Sequence, residues 1–493
     1  MVDGKIMKCY IRKQRRRSRA EEEDRLSSLP DVILTNILSR LPIHVAIATS
    51  VLSHRWRRVW TGITCVEIVT CRTSGVAAMF DCILRQLTSR KLHVFDLALL
   101  EVFKSPEISE SEIELWVREV CSRNVEDIRI DAHYDSQFCV PAILFNSQSL
   151  VTLKLWGLLQ FKWPEIGSLC FHLPNLKSLN LCKLIDVPLS LGTLLRSCPH
   201  LEHLDLDFDL ADNLHFSLSS SVVNIIAPNL KSLSIHMLYT PGQISVYIDA
   251  PKLENLKIEN FYSIYYFLRN PTVLKEARIE LMHDEWYGLE SDDEEEKELD
   301  YGSLSEARKE YLHQMTKFVG GMSTVTNLEL RLESLTNIFK YQNPVKLPIF
   351  SNVAHLETNF LKDLMFSLHC FPNLEHLKVS DCDDKMEQSS LCTPDSISDC
   401  FDKFLAYILR NAFVLEKLLV KFHMVDGEYD KYEREKAYAV WKECQFCKSL
   451  MKLPRSSLTC QLELSGRSVI ASAPSGITNQ SPVPLCHSET QNS

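Results

Sequence analysis

The chain has 493 residues, 45% of them hydrophobic and 24% charged, with a formal net charge of -10. That length holds two or three domains or one long repeat array, and the composition is that of a folded protein. No run approaches the roughly 18 apolar residues that span a bilayer, and the acidic balance argues against nucleic acid as a partner of the folded body.

The N-terminus opens on a basic arm of Lys8, Arg12, Lys13, Arg15, Arg16, Arg17 and Arg19, followed at once by Glu21, Glu22, Glu23 and Asp24. No apolar stretch follows it, so a secretory leader is not expected. Residues 1–24 read either as a nuclear-import or phosphate-contact segment or as a solvated, disordered terminus. The seventeen cysteines are scattered and odd in number. Together these features point to reduced thiols in the nucleus or cytoplasm, buried mostly as small apolar side chains.

Residues 25–65 form a separate apolar module. Ile33, Leu34, Ile37, Leu38 and Leu41 make a broad stripe on one helix, with Pro30 expected in its first turn and Asp31 at its positive end. Pro42 ends that helix and opens a second through Val45, Ala46, Ile47, Ala48, Val51 and Leu52. Ser53 is placed to cap a third, which sets Trp56 and Trp60 on one face at i and i+4. Three short helices are too few to enclose a core of their own. Their remaining apolar surface must pack on the rest of the chain, dock a partner's helices, or do both.

Past about residue 90 one pattern returns: apolar, two variable residues, apolar, one variable, apolar. It reads VEDIRI at Val125, LVTLKL at Leu150, LKSLNL at Leu176, LEHLDL at Leu201, LKSLSI at Leu230 and LENLKI at Leu253, then LKEARI at Leu274, VTNLEL at Val325, LEHLKV at Leu374 and LEKLLV at Leu415. The early spacing is that of leucine-rich repeats, and LPN, CPH, APN, APK and FPN put a turn signal before several units. Such repeats stack short strands into a curved parallel sheet, leucines inward and the intervening residues outward. The outward columns include Lys154, Asn180, Asp205, Ser234, Lys257, Arg278, Glu329 and Lys378, and beside them Trp156, Cys182, Asp207, His236, Glu259, Glu280, Arg331 and Ser380. Lys154, Trp156, Asp205, Asp207, His236, Lys257 and Arg331 are the candidate contacts for a protein surface, because both columns are mixed in sign and form no single-sign funnel. The repeats are expected over 90–345, interrupted by an acidic, disordered loop at 290–300 (ESDDEEEKELD). A Ser- and Pro-rich tail is expected to be disordered from 466 to 493.

LPDVILTNILSRLP and SVLSHRWRRVW, from Leu29 to Trp60, resemble the F-box, which docks onto the Skp-type adaptor of cullin–RING ubiquitin ligases. The resemblance implies first adaptor contacts at Leu29 and Pro30. It implies an apolar helix surface from Ile33, Leu34, Ile37, Leu38, Leu41 and Pro42, shared between adaptor and internal packing. Val51, Leu52, Trp56 and Trp60 then complete the interface or anchor the module to the repeats. The sequence departs from the pattern at Ile43–Ala46, where relatives carry a polar pair with an acidic residue. Farther on, LPIFSNVAHLE at Leu347, FLAYILRNAFVLEKLLV at Phe404 and LMKLPRSSLTCQLEL at Leu450 resemble the FBD region of plant F-box/leucine-rich-repeat proteins, implying an FBD-like α+β cap over 346–465. The stretch between Asp381 and Asp399 departs from that pattern, and an irregular sheet edge is expected there. The fold class implied is α/β: a short three-helix F-box, a curved leucine-rich-repeat solenoid with a parallel sheet, and the cap.

Catalytic signatures are absent. The sequence holds no P-loop, GxGxxG, GxSxG or HExxH. Cys444 and Cys447 form one CxxC without the second pair that a zinc site requires, and His200 and His203 flank a repeat strand as surface residues. No cofactor or metal is expected. The resemblance implies a non-catalytic receptor subunit of a ubiquitin ligase, joined through the adaptor to a cullin and holding a protein substrate by its repeats. The alternative is a repeat scaffold acting outside ubiquitination.

Overall fold

The structure is a computed structural model that describes residues 26, 28–70, 76–99, 110–132, 137–161, 171–184, 191–209, 221–238, 244–261, 264–269, 271–282, 306–332, 349–359, 368–380, 405–421, 433–466 and 469–474. The basic arm, the acidic loop at 290–300, the stretch from Asp381 to Asp399 and the end of the tail lie outside them. Contacts divide the chain into two units, one up to Leu158 and one from Leu159.

Unit one begins with α1 (Asp31–Leu38), α2 (Ile43–Ala48) continued by a 3-10 turn at Thr49–Val51, and α3 (Trp56–Val59) continued by a 3-10 turn at Trp60–Gly62. Two boundaries differ from expectation. Pro30 is the cap residue before α1, with extended backbone, and not part of its first turn. The third helix starts at Trp56, preceded by Arg55, so Ser53 caps nothing. Arg55 explains the shift. It bridges back to Asp31 at 2.7 Å and donates to the Leu29 carbonyl, which ties the start of α3 to the start of α1. Thr35 Oγ1 donates to the Val59 carbonyl, and the Ser39 hydroxyl accepts from the Thr64 N–H at 3.1 Å.

The same unit continues with β1 (Cys65–Thr70), α4 (Val76–Gln86), β2 (Val94–Leu99), α5 (Glu110–Ser122), β3 (Asp127–Ala132), β4 (Gln137–Cys139) and β5 (Thr152–Gln160). Strands β1, β2, β3 and β5 pair side by side, all parallel. Repeat units therefore start before Val125. Ile63, Val66 and Ile68 carry the same inward spacing into β1, and Leu92, Phe95 and Leu97 carry it into β2, all six buried. Helix α5 stops without a glycine because Asn124 takes the left-handed conformation, φ 51°. Arg123 then reaches under α4 and donates to the carbonyls of Leu84, Leu87 and Ser89, groups a helix C-terminus leaves without partners. Behind the strands Phe80 stacks on Trp116 at 4.2 Å, and the Trp116 N–H donates to Asp81.

Unit two carries β6 (Ser178–Leu184), α6 (Leu191–Arg196), β7 (His203–Asp209), β8 (Ser221–Ile226), β9 (Ser232–Leu238), β10 (Ile244–Asp249), β11 (Asn255–Phe261), β12 (Ile264–Arg269) and β13 (Glu276–Met282). There follow α7 (Glu306–Gly320), β14 (Asn327–Leu332), β15 (His355–Thr358), β16 (His376–Ser380), a helix at 405–411, β17 (Lys417–Lys421), α8 (Glu433–Met451), β18 (Gln461–Ser465) and β19 (Ile470–Ala473). The main sheet runs β6-β7-β9-β11-β13-β14-β15-β16-β17-β18 in parallel, and β19 returns antiparallel to β18. A second parallel sheet, β8-β10-β12, takes the place of helices on the return segments of three repeats. The fold is thus mixed α/β with a large, mostly parallel sheet, and the segment read as FBD-like continues that sheet through β15, β16, β17 and β18.

Part of the tail expected to be disordered from Gly466 forms a strand. Ile470–Ala473 is too short and too Ser/Ala-rich to announce a strand, yet it pairs with β18, which would otherwise be an open edge. Arg455 fixes the return by donating to the Cys460 carbonyl at 2.7 Å.

The prefix before each strand has a structural use beyond turning the chain. Asn229 Nδ2 donates to the Pro199 carbonyl and Asn373 Nδ2 to the Ser351 carbonyl, both at 2.8 Å, while Thr324 Oγ1 donates to the Pro271 carbonyl at 2.9 Å. These three turns are thereby bonded to the turns of the preceding repeats. Backbone amides run in step, with Lys231 bonded to Glu202, Glu254 to Lys231 and Lys275 to Glu254.

Candidate functional site

Two surfaces stand out, one in each unit. In the helical module the twelve sequence candidates separate by direction. Leu34, Leu38, Trp56 and Trp60 turn inward and are buried with Ile43, Ala46, Val59 and Ile63. They are the interior of the module and offer no surface to a partner. Helix periodicity decides this: the stripe on α1 is wider than its buried seam, and i, i+4 spacing puts Leu34 and Leu38 in the seam and Ile33 and Ile37 beside it.

Ile33, Ile37, Val51 and Leu52 are exposed, and so are Pro30 and Pro42, with Leu29 and Leu41 half-buried. Val51 is 86% exposed and Leu52 64%. Val32, 72% exposed, together with Leu26 and Val45 enlarges the apolar surface. Val45 was expected only as part of the second helix, and Val32 and Leu26 were not singled out in the sequence. A module this small with so many bare aliphatic side chains has the composition of an interface core.

In unit two the outward residues of β7, β9, β11, β13, β14, β15 and β16 form a polar layer, joined by ion pairs from β11 to β16. His236 Nδ1 pairs with Asp207 at 2.7 Å, and Asp205 accepts from Asn180 at 2.9 Å. Lys257 meets Glu259 at 3.0 Å, and Arg278 meets Glu259, Glu280 and Glu329. Arg331 joins Glu329 to Glu357, and Lys378 closes on Glu357 at 2.6 Å. The Arg331 Nε contact to Glu329, at 2.8 Å, brings the charges together without aiming the N–H at the oxygen.

These contacts set the titration of the layer. The hydrogen bond that His236 donates to Asp207 raises the histidine above its ordinary value, against burial. Burial raises the carboxyl of Asp205, and burial with the neighbouring Glu357 raises that of Glu329. Glu357 is lowered, because hydrogen bonds and charge from Lys378 and Arg331 overcome its burial.

Lys257 and Arg331 therefore belong to one chain of ion pairs on unit two, with Asp205 and the Asp207–His236 pair on the adjoining strands. Lys154 and Trp156 lie on β5 in unit one, both exposed. Beside the network a groove of about 610 Å³ crosses the strands, lined by Asn255, Glu276, Arg278, Glu357, His376 and Lys417 among others. The imidazoles of His355 and His376 stack in it at 4.5 Å. The sequence did not single out this row, which falls at a variable position just before the second apolar residue of each repeat pattern.

Burial pushes the Cys447 thiol up to about 12 and Cys121 up to about 11, away from nucleophilic character. Among the described residues no group of three or more His, Cys, Asp or Glu side chains could hold a metal ion, and no helix is long and apolar enough to cross a membrane.

Comparison with known proteins agrees with this architecture. Residues 26–65 match the F-box domain family, and residues 113–266 match a family described as FBD-associated F-box protein At5g56370, LRR repeats. The chain is 32% identical over 265 residues to FBD-associated F-box protein At5g38590 of Arabidopsis thaliana, a match covering 52% of this chain and 61% of that relative. It is 25% identical to F-box/FBD/LRR-repeat protein At5g22660 of the same plant, covering 81% of this chain and 90% of the relative. With the putative F-box/FBD/LRR-repeat protein At1g66300 the identity is 25%, covering 90% and 94%. The chain thus carries an F-box and leucine-rich repeats, and along most of its length it is similar to plant F-box/FBD/LRR-repeat proteins.

Proposed function

We propose that this F-box and leucine-rich-repeat chain is a substrate-recognition subunit of an SCF-type ubiquitin ligase. Its F-box docks a Skp-type adaptor, and through it a cullin, while the strand face of its repeats holds a protein substrate. The observation that carries the reading is the exposure of Val51, Leu52, Val32, Ile33 and Ile37 on a module whose core is already filled by Leu34, Leu38, Trp56 and Trp60. Covering a Val or Leu side chain is worth about 1.5–3 kcal/mol, so even part of this patch supplies a binding hot spot.

The subunit itself is non-catalytic. Its contribution is proximity, turning the encounter of a substrate lysine with a charged conjugating enzyme into an event within one assembly. The substrate surface is read by the charge layer of unit two and the groove beside it.

The test is adaptor binding by the purified full chain and by a Val51→Asp/Leu52→Asp variant whose fold is checked by circular dichroism. Binding by the wild type and its loss in a folded variant supports the reading. Absence of binding by the wild type, where a control F-box binds, sinks it and leaves the scaffold outside ubiquitination.

A further inference from the structure

We infer that the partner seated on the F-box presents carboxylates around an apolar centre, so that its association is steered by charge. This rests on the adaptor reading above and adds what the adaptor's docking face must carry. Residues 26–65 contain four arginines, Arg40, Arg55, Arg57 and Arg58, against one carboxylate, Asp31. The module is thus cationic within a chain of net charge -10.

Arg55 is committed to Asp31 and the Leu29 carbonyl. Arg40, Arg57 and Arg58 are exposed and, among the described residues, have no carboxylate partner. Their placement follows the apolar patch. Arg40 continues the helical turn after α1, its N–H bonded to the Ile37 carbonyl at 3.1 Å, so it extends the line of Ile33 and Ile37. Arg57 and Arg58 stand on α3, which packs against the turn carrying Val51.

Three guanidiniums beside one patch repel each other in the free module, and partner carboxylates would relieve that repulsion. A neutral or basic docking face would bury or confront them at a cost. The strand face of unit two behaves differently, since its charges are largely matched by one another.

The experiment is stopped-flow association of the full chain with a purified Skp-type adaptor at low and high salt. The wild type is compared with an Arg40→Glu/Arg57→Glu/Arg58→Glu variant and with Val51→Asp/Leu52→Asp. The charge variant is expected to associate roughly tenfold or more slowly at low salt, the gap closing as salt rises, with dissociation little changed. Equal, salt-independent association by wild type and charge variant overturns the inference while leaving the adaptor reading intact. Failure of the wild type to bind overturns both.

Discussion

Gly157 of β5 stands directly against Ala132 of β3: a Cβ at Gly157 would lie 2.2 Å from the Ala132 carbonyl oxygen. Its φ of 135° is open only to glycine, and the obstacle is backbone, which cannot swing aside. Gly157→Ala is therefore expected to destabilise unit one by about 2 kcal/mol or more, read as a lower denaturant midpoint with an unchanged slope.

The F-box separates binding from folding. Leu34→Ala empties a site that is 0% exposed and should cost about 2–5 kcal/mol of stability. Leu52→Asp should leave the thermal midpoint nearly unchanged and abolish adaptor capture. Thermal melts and a pull-down on the same two variants check both halves. A folded Leu52→Asp protein that still binds fully would remove Leu52 from the interface.

Arg123 ends one helix and secures another. Arg123→Ala strips three carbonyls near the end of α4 of a charged donor, with an expected loss of roughly 2 kcal/mol. Arg123→Lys should recover little of it, because one ammonium cannot reproduce the fork that meets Leu84, Leu87 and Ser89 together. Urea melts of the three proteins measure the order.

His236 gives the strand face a pH dependence of defined sign. Its pKa in the folded chain is raised from the usual 6.5 by Asp207, so the protonated form is favoured by folding. That stabilisation is fully present below about pH 6.5 and fades as pH rises through the raised value. Wild type minus His236→Gln should therefore show its largest stability difference on the acid side, followed by denaturation across pH 5 to 9. A difference growing toward alkaline pH would contradict the pairing.

Much of this was legible in the chain. Every quoted repeat forms a strand with its leucines inward, because the two-residue alternation leaves a strand no other way to bury them. The helical module was legible in its type but not in its faces. Leu34 and Ile33 look alike in a sequence, and only the packing of Trp56 and Trp60 decides which one is covered. Ile63 and Leu92 were passed over as repeat starts because their units substitute Val, Ile or Phe for leucine. The stacked His355 and His376 were invisible for another reason: their pairing depends on which strands become neighbours across 21 residues of chain.

The side-chain bonds that Asn229, Thr324 and Asn373 make to the turns before them, together with the backbone ladder, hold register without help from the return path. Asn327 aligns with Glu276, although the acidic stretch intervenes, just as His376 aligns with His355 over a much shorter connection. Segments on the far side of the sheet can lengthen, shorten or change character while the reading surface stays aligned. New specificities would then arise by exchanging outward residues together with their charge partners on the adjoining strands, while the inward leucines and the turns stay as they are.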